Sequence, residues 1–148
     1  MLNIKLINPD QTGLAHQVFS QAYQGNYQLS PSDLNRLLAD DNQAIFGLWH
    51  GEELLALAHF QLVLDQADLI DLAVRPDRQG QGYGYYLLSR CLQILSLSQV
   101  YLEVRDSNQV AISLYEKLGF VYLSCRKNYY SQPSQDAWVY IWKEDADD

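Results

Sequence analysis

The chain has 148 residues, of which 48% are hydrophobic and 19% charged, and its formal net charge is −8. This composition predicts one domain with a single core. The acidic balance argues against non-specific nucleic-acid binding, and no apolar run approaches the roughly 20 residues that span a bilayer. With no secretory pattern, Cys91 and Cys125 are expected to be reduced thiols in the cytoplasm. His16, His50 and His59 lack metal-ligand spacing, so no metal site is predicted.

The first third of the chain predicts a strand followed by two helices. Residues 2–7 alternate apolar and polar side chains, which indicates a strand. Leu14, Val18, Phe19 and Ala22 follow helical spacing and predict the first helix. The segment 30–33, Ser-Pro-Ser-Asp, supplies an N-cap, a proline at the first helical position and an acidic first turn, so a second helix begins there.

Three strands follow in the middle of the chain. Residues 44–49 and 54–64 flank the turn at 50–53, which predicts a hairpin. A further strand, 68–74, comes after a turn at Asp65-Gln66. Three consecutive strands with short connections predict an antiparallel meander.

The second half alternates helices and strands. Leu87, Leu88, Cys91, Leu92 and Leu95 form one buried helical face. The strand 100–104 precedes a helix that starts at Asn108 and ends at Gly119, the expected left-handed cap. Strands begin at Phe120 and at Ala137. The predicted order is β-α-α-β-β-β-α-β-α-β-β, a mixed α/β or α+β sandwich, with a single domain at 1–143 and an acidic tail at 144–148.

The segment 74–84, Val-Arg-Pro-Asp-Arg-Gln-Gly-Gln-Gly-Tyr-Gly, joins a strand to a helix. Backbone N–H groups in such a loop and at a helix start bind phosphate or pyrophosphate, and Gly80, Gly82 and Gly84 allow close approach. A dinucleotide fingerprint is excluded because residue 85 is tyrosine, and no Walker-type G-K-S or G-K-T follows. The alternative is a turn whose glycines serve geometry alone.

Two polar side chains stand out downstream of this loop. Glu103 lies in the strand 100–104, and Tyr115 lies on the next helix beside its apolar stripe. Both side chains can converge on one cleft. Alternatively, Glu103 points to solvent and Tyr115 covers the core.

Gln79-x-x-Gly82-x-Gly84 resembles the Q/R-x-x-G-x-G/A pattern of the GCN5-related N-acetyltransferases (GNAT). From residue 44 to residue 142 the chain resembles the RimI-type members of this superfamily, which acetylate the N-terminal alanine of a ribosomal protein. The resemblance is carried by residues 63–65, 72–77, 79–84, 102–105, 107–108, 111–112, 114–116, 118–120 and 126–130.

The resemblance implies the GNAT fold, a mixed central sheet of about seven strands flanked by about four helices. It also implies an acetyl-CoA-dependent enzyme that moves the acetyl group directly to a primary amine, with Glu103 as general base and Tyr115 as general acid. Tyr129 and Tyr130, on a loop before the last strand, would wall the acceptor channel, or else form a packed aromatic pair. The implied cofactor-binding residues are Leu72, Ala73, Val74, Gln79, Gly80, Gln81, Gly82, Tyr83, Gly84, Tyr85 and Asn108.

These residue types suit acetyl transfer. An amine attacks a thioester only when neutral, so a carboxylate must take its proton. A tyrosine OH can donate to the departing thiolate, and the backbone N–H of Val74 is a candidate donor to the oxyanion. An α-amine, with a pKa about 2.4 units below that of lysine, costs roughly 3 kcal/mol less to neutralise, which favours an N-terminal acceptor.

The N-terminal third departs from the RimI-type pattern. The stretch Gln28-Leu29-Ser30 stands where those enzymes resemble Pro-Trp-Ser, on the acceptor side, so Leu29 takes the place of the tryptophan. This departure concerns the acceptor pocket and the ribosomal target rather than acetyl transfer. The resemblance implies an acceptor amine as the partner, foremost the N-terminus of a ribosomal protein. The alternatives are a lysine, polyamine, amino acid or aminoglycoside acceptor, or a non-catalytic acyl-CoA sensor.

Overall fold

The computed structural model describes residues 1–131 and 134–144. Its centre is a seven-stranded sheet, and the predicted order of elements is confirmed. The strands are β1 (Leu2–Leu6), β2 (Gln43–His50), β3 (Glu53–Val63), β4 (Gln66–Val74), β5 (Gln99–Arg105), β6 (Val121–Tyr130) and β7 (Gln135–Lys143). The α-helices are α1 (Thr12–Ala22), α2 (Pro31–Leu38), α3 (Tyr83–Leu95) and α4 (Gln109–Lys117).

The strand order in the sheet is β1-β2-β3-β4-β5-β7-β6, and every neighbouring pair is antiparallel except β4 and β5. The parallel ladder runs only from Gln66↔Gln99 to Leu69↔Leu102. Strand β4 continues to Val74 and β5 to Arg105 without pairing to each other. The two strands therefore separate, which opens a split in the middle of the sheet.

Helices cover both faces of this sheet. On one face, Leu87, Leu88 and Cys91 of α3 are fully buried among residues such as Phe60 of β3. On the other face, α1 and α2 bury Val18, Phe19 and Leu34 against Ile45 and Leu57. Burial of each large apolar side chain contributes about 1.5–3 kcal/mol, so both layers hold the sheet in place.

The predicted helix boundaries follow from their caps. The Ser30 hydroxyl accepts a hydrogen bond from the Asp33 N–H at 3.1 Å, and Gly119 adopts φ +99° after α4. The prediction that Leu14 belongs to the buried apolar face of α1 is wrong, because Leu14 is 38% exposed. The buried face instead contains Thr12 and Ala15, since it follows i, i+3, i+6 and i+7 spacing with Val18 and Phe19.

Two strand boundaries also differ from the prediction. Strand β4 begins at Gln66, so the preceding turn lies at Leu64-Asp65. Tyr129 and Tyr130 end β6 rather than lying on a loop, because Tyr130 still pairs with Gln135 of β7. The aromatic side chains favour this extended, partly covered position.

The described part of the chain ends one residue after β7. Residues 145–148 of the predicted acidic tail lie outside the described residues, whereas the Glu144 N–H donates to the Ser98 carbonyl at 2.9 Å. Among the described residues, no helix is both long and apolar enough to cross a membrane.

Candidate active site

A cavity of about 920 Å³ lies between α3, α4 and the open edge of β4, and we call it the α3–α4 cavity. Its floor is the end of β4, and its sides are the 74–84 loop, the first turn of α3 and one face of α4 along its whole length. The lining residues are Leu72, Val74, Arg78, Gln79, Gly80, Gly82, Tyr83, Gly84, Tyr85, Asn108, Val110, Ala111, Ser113, Leu114, Tyr115 and Lys117.

The loop glycines shape the start of α3. Gly80 has φ +77°, and Gly82, the N-cap of α3, has φ +87°, so a side chain at either position would be strained. A Cβ at either position would meet no atom within 4 Å, so both face open space. No side chain caps α3, which leaves the N–H groups of its first turn open to the cavity. These features fit a phosphate group.

Gly84 serves packing. It is buried, and a Cβ there would meet Leu114 Cδ1 at 3.3 Å and Val74 Cγ2 at 3.4 Å. The glycine therefore lets α3 lie close to both β4 and α4. The absence of a side chain at Gly84 therefore explains this packing, and it also leaves the backbone accessible to a ligand, as the sequence predicted.

Gln79 ties the loop to β4. Its side-chain Nε2 donates to the Val74 carbonyl at 3.1 Å, so the motif glutamine braces the loop. Gln81, also predicted to bind the cofactor, is not among the residues that line the cavity. Arg78, which the sequence reading missed, lines the cavity and forms an ion pair with Glu53 at the start of β3.

Beyond its pairing with β5, strand β4 directs the N–H and C=O groups of every second residue towards the split. The Arg75 N–H donates to the Leu55 carbonyl at 3.0 Å, so Arg75 bonds to β3. In an antiparallel pair such bonds alternate, which directs the backbone of Ala73 towards β3 and that of Leu72 and Val74 towards the split. Both backbone groups of Leu72 can therefore pair with an extended ligand. The Val74 N–H is also open, whereas its carbonyl accepts from Gln79 and Ala73 faces β3.

Tyr115 projects from α4 into the α3–α4 cavity. Its ring packs against Phe120, with centroids 5.8 Å apart. Burial, together with the neighbouring Asp71 carboxylate and Tyr130, raises the pKa of Tyr115 to about 12. The phenol is thus protonated at neutral pH, so its hydroxyl can donate a hydrogen bond or a proton.

Asn108 caps α4, where its side-chain oxygen accepts from the Ala111 N–H at 3.2 Å. It also lines the α3–α4 cavity, as predicted for a cofactor contact. Val110, Ser113 and Lys117 line the same wall and were missed. Their i, i+3, i+7 spacing on α4 is the signal that marks this second helical face.

A second cavity, of about 430 Å³, lies on the other side of the split, and we call it the β5–β6 cavity. Glu103 enters it with 34% of its side chain exposed, and the Arg126 Nε lies 3.7 Å from its carboxylate. Glu103 and Tyr115 therefore belong to adjacent cavities rather than to one cleft. The lining residues are Asp68, Leu69, Ile70, Tyr101, Leu102, Glu103, Arg126, Tyr129, Tyr130 and Val139.

Tyr129 and Tyr130 form one wall of the β5–β6 cavity. Their rings meet edge to face with centroids 5.2 Å apart, so they are both a packed pair and a lining. The Arg105 guanidinium lies 4.1 Å from the Tyr130 ring centroid. Burial and the Glu103 charge raise the pKa of Tyr130, while Arg105 lowers it.

Leu29 lies apart from both cavities. It is in the connection between α1 and α2, where its carbonyl is 2.9 Å from His16 Nε2. It is not among the residues that line either cavity. Of the three predicted acceptor-side residues, the structure brings Tyr129 and Tyr130 to Glu103 and leaves Leu29 elsewhere.

A sequence model of the Acetyltransferase (GNAT) family matches residues 14–120. The chain belongs to this family. Both the predicted family and the predicted enzyme class, an N-acetyltransferase, are confirmed.

Named relatives agree with this assignment. The ribosomal protein bS18-alanine N-acetyltransferase of Haemophilus ducreyi is 39% identical over 71% of this chain and 76% of its own length. The Escherichia coli enzyme of the same name is 42% identical over 68% of this chain, and the match spans 66% of the relative's length.

Solved structures confirm the predicted GNAT fold. The crystal structure of the E. coli ribosomal-protein-S18-alanine N-acetyltransferase superposes with a TM-score of 0.87 at 31% identity, covering 97% of this chain and 94% of the other. A Thermoplasma acidophilum N-acetyltransferase in complex with coenzyme A superposes with a TM-score of 0.78 over 97% of this chain and 99% of the other. At 17% identity that second likeness shows the fold alone.

Proposed function

We propose that this protein transfers the acetyl group of acetyl-CoA directly to the N-terminal α-amine of a protein, foremost a ribosomal protein. One observation carries the proposal. Two cavities meet at the split between β4 and β5, with a protonated phenol, Tyr115, in one and a carboxylate, Glu103, in the other. A general acid and a general base on opposite sides of one gap suit an acyl transfer between two bound substrates.

The α3–α4 cavity would hold acetyl-CoA. The N–H groups at the start of α3, with Gly80 and Gly82, would bind the pyrophosphate. The open backbone of Leu72 would pair with the pantetheine arm, near the Asn108 side chain, and the Val74 N–H would face the thioester. When bound there, the thioester supplies an activated acetyl group at the split.

Side chains on both sides of the split then accept and donate the protons of the reaction. Glu103 accepts the proton of the attacking amine, directly or through water, and Arg126 at 3.7 Å orients the carboxylate. The Tyr115 hydroxyl is the donor available to the leaving sulfur, since it keeps its proton to a pKa of about 12. The Val74 N–H, which faces the split, is the backbone donor for developing negative charge.

The acceptor assignment rests on the relatives and on proton affinity. Two relatives bear the name of a bS18-alanine N-acetyltransferase. An α-amine, with a pKa near 8, gives up its proton to a carboxylate base more readily than a lysine does. A cytoplasmic location is part of the proposal, because acetyl-CoA and ribosomes occur there.

The test offers acetyl-CoA with two peptides. One peptide begins with alanine and arginine and contains no lysine, and the other has a blocked N-terminus and an internal lysine. Mass spectrometry reports which peptide gains an acetyl group. We expect acetylation of the first. Acetylation of the second alone would replace the N-terminal acceptor with a lysine, and acetylation of neither would point to another amine or to a sensor.

A further inference from the structure

A cluster of four polar side chains lies on the α1–α2 face of the sheet. It contains Tyr23 from the end of α1, Gln43 from β2, His59 from β3 and Asp71 from β4. The Tyr23 hydroxyl donates to Asp71 Oδ1 at 2.6 Å. His59 Nδ1 lies 3.6 Å from Asp71 Oδ2, and its Nε2 lies 2.7 Å from Gln43 Oε1. The cluster thus centres on the Asp71 carboxylate.

The Asp71 side chain lines neither cavity, but its charge acts on Tyr115 in the α3–α4 cavity. Its predecessor Ile70 lines the β5–β6 cavity, and its successor Leu72 lines the α3–α4 cavity. Ile70 has no partner on β3, because the register shifts between His59 and Phe60, so β4 bulges at this point. The Asp71 side chain keeps 20% exposure in this position.

One oxygen of Asp71 has no hydrogen-bond donor among the described residues. Tyr23 occupies Oδ1, and the nearest group to Oδ2 is His59 Nδ1. His59 is 3% exposed, and its Nδ1 has no hydrogen-bond partner within the described part of the chain. His59 Nε2 lies 2.7 Å from Gln43 Oε1, so that ring nitrogen already has a partner. A carboxylate in this setting is stabilised by a cation.

The other groups around Asp71 are phenols. The rings of Tyr23 and Tyr27 are stacked, with centroids 6.0 Å apart and planes 7° apart. Burial first, and then the Asp71 charge, raise the pKa of Tyr23, Tyr27 and Tyr115, which stay neutral. Within the described residues, the ion-pair contact of Asp71 is with His59. A carboxylate among neutral aromatic rings is a setting that binds an ammonium group.

We propose that Asp71 is a second carboxylate of the acceptor site, which binds the ammonium form of the acceptor amine beside the split while Glu103 receives its proton. This inference rests on the proposed function. An α-amine with a pKa near 8 arrives mostly protonated at neutral pH, so the site must capture a cation before it can use the amine. The two carboxylates lie on separate strands, one on each side of the gap.

The test measures binding in the presence of CoA, which carries no acetyl group to transfer. The probe is the peptide with a free N-terminal alanine, compared with the same peptide acetylated at its N-terminus. Asp71→Asn keeps an oxygen for the Tyr23 hydroxyl and removes the charge. We expect it to lose about ten-fold or more in affinity for the free peptide and nothing for the acetylated one. Asp65→Asn, at the exposed β3–β4 turn, is the matched control and should bind as the wild type does.

Two further variants separate charge from structure. Tyr23→Phe breaks the hydrogen bond to Asp71 but keeps the carboxylate, so the preference for the free amine should persist. Glu103→Gln should also keep part of that preference, because Asp71 remains, and this measurement does not depend on the folding of the Asp71 variant. Loss of the whole preference in Glu103→Gln, or its full retention in Asp71→Asn, would overturn the inference.

The two proposals fail in different ways. If the wild type prefers the free amine in the CoA complex but transfers no acetyl group to it from acetyl-CoA, the proposed function is refuted and the assignment of Asp71 as a cation site stands. If the wild type shows no preference for the free amine, the Asp71 inference is refuted, whatever the transfer assay gives.

Discussion

The two cavities beside the split are built in different ways. The α3–α4 cavity combines the backbone of the 74–84 loop, the open edge of β4 and the first turn of α3 with one face of α4, which includes Tyr115. The β5–β6 cavity is lined by residues of β4, β5, β6 and β7, among them Glu103, Arg126 and Tyr129. The first cavity includes a continuous loop with fixed backbone conformations, whereas the second is assembled from residues of four strands.

This difference determines how each cavity tolerates change. A backbone site depends on torsion angles, so it is sensitive to substitutions at a few glycines and indifferent to many side chains. A side-chain site changes its specificity with each residue that lines it. Substitutions in the two cavities should therefore separate cofactor binding from acceptor binding.

The largest expected effect comes from Tyr115, the residue proposed to donate a proton to the leaving group. Tyr115→Phe should retain CoA affinity and lower kcat by about 10²–10³-fold, since positioned acid catalysis contributes factors of this size. Measurements of thiol release and of CoA binding by calorimetry check both parts. Unchanged turnover would remove Tyr115 as the acid.

Glu103→Gln should lower kcat/KM for the acceptor by about 10²-fold, because the amine loses its proton acceptor. The decrease should be greatest at low pH, where more of the amine is protonated, and smaller above the amine pKa near 8. A pH series of initial rates tests this, and an equal decrease at every pH would argue against a base. CoA affinity should be unchanged, since Glu103 lines only the β5–β6 cavity.

Gly82→Ala should weaken CoA binding by about ten-fold. The residue has φ +87°, so an alanine there is strained by roughly 1–2 kcal/mol and shifts the start of α3. Gly25→Ala is the matched control, since Gly25 has φ +86° and also has nothing within 4 Å of its Cβ position. Both variants should lose similar thermal stability. Equal CoA affinity in the two would show that the loop conformation does not hold the cofactor.

The sequence predicted the residues of the α3–α4 cavity more fully than those of the β5–β6 cavity, and the contrast between the two cavities explains this. The glycine spacing at 80–84 encodes conformation directly, so the loop and the helix that follows it were predicted correctly. The separation of β4 from β5, and the side chains that meet across it, depend on tertiary packing. Asp71 has no local signal at all, because its neighbours Tyr23 and His59 are brought to it only by the fold.

Leu29 and Arg78 also show that local sequence patterns do not predict contacts made by tertiary packing. Leu29 was expected on the acceptor side by its place in the chain, but its carbonyl contacts His16 and it lines neither cavity. Arg78 sits inside the recognised loop and was overlooked because its cavity position follows from the ion pair with Glu53. Periodicity assigns a residue to a face of its element, but not to a partner on another element.

Tyr129→Ala should raise KM for the acceptor peptide by about five- to ten-fold and leave the Kd for CoA unchanged. The residue lines the β5–β6 cavity and lies on the far side of the sheet split from the loop. Tyr122→Ala, on the same strand but outside both cavities, is the control; it should lose stability through its contacts with Trp138 and Tyr140 and keep its KM. Equal KM values in the two variants would remove Tyr129 from the acceptor wall.

The smallest expected effect is on alkaline stability, and it tests the surroundings of Tyr115 without reference to catalysis. A phenol has a pKa near 10 when unfolded, and burial raises that of Tyr115 to about 12 in the folded chain. Between these values the unfolded chain releases a proton that the folded chain keeps, so the free energy of unfolding falls as pH rises above 10. At pH 11 the ionisation of this one group should lower the free energy of unfolding by roughly 1 kcal/mol. Urea unfolding at pH 8 and pH 11 should therefore show a smaller loss for Tyr115→Phe than for the wild type, since phenylalanine has no proton to release. Identical losses would mean that the Tyr115 hydroxyl is no harder to ionise in the fold than in water, and that it lies open to solvent at the split.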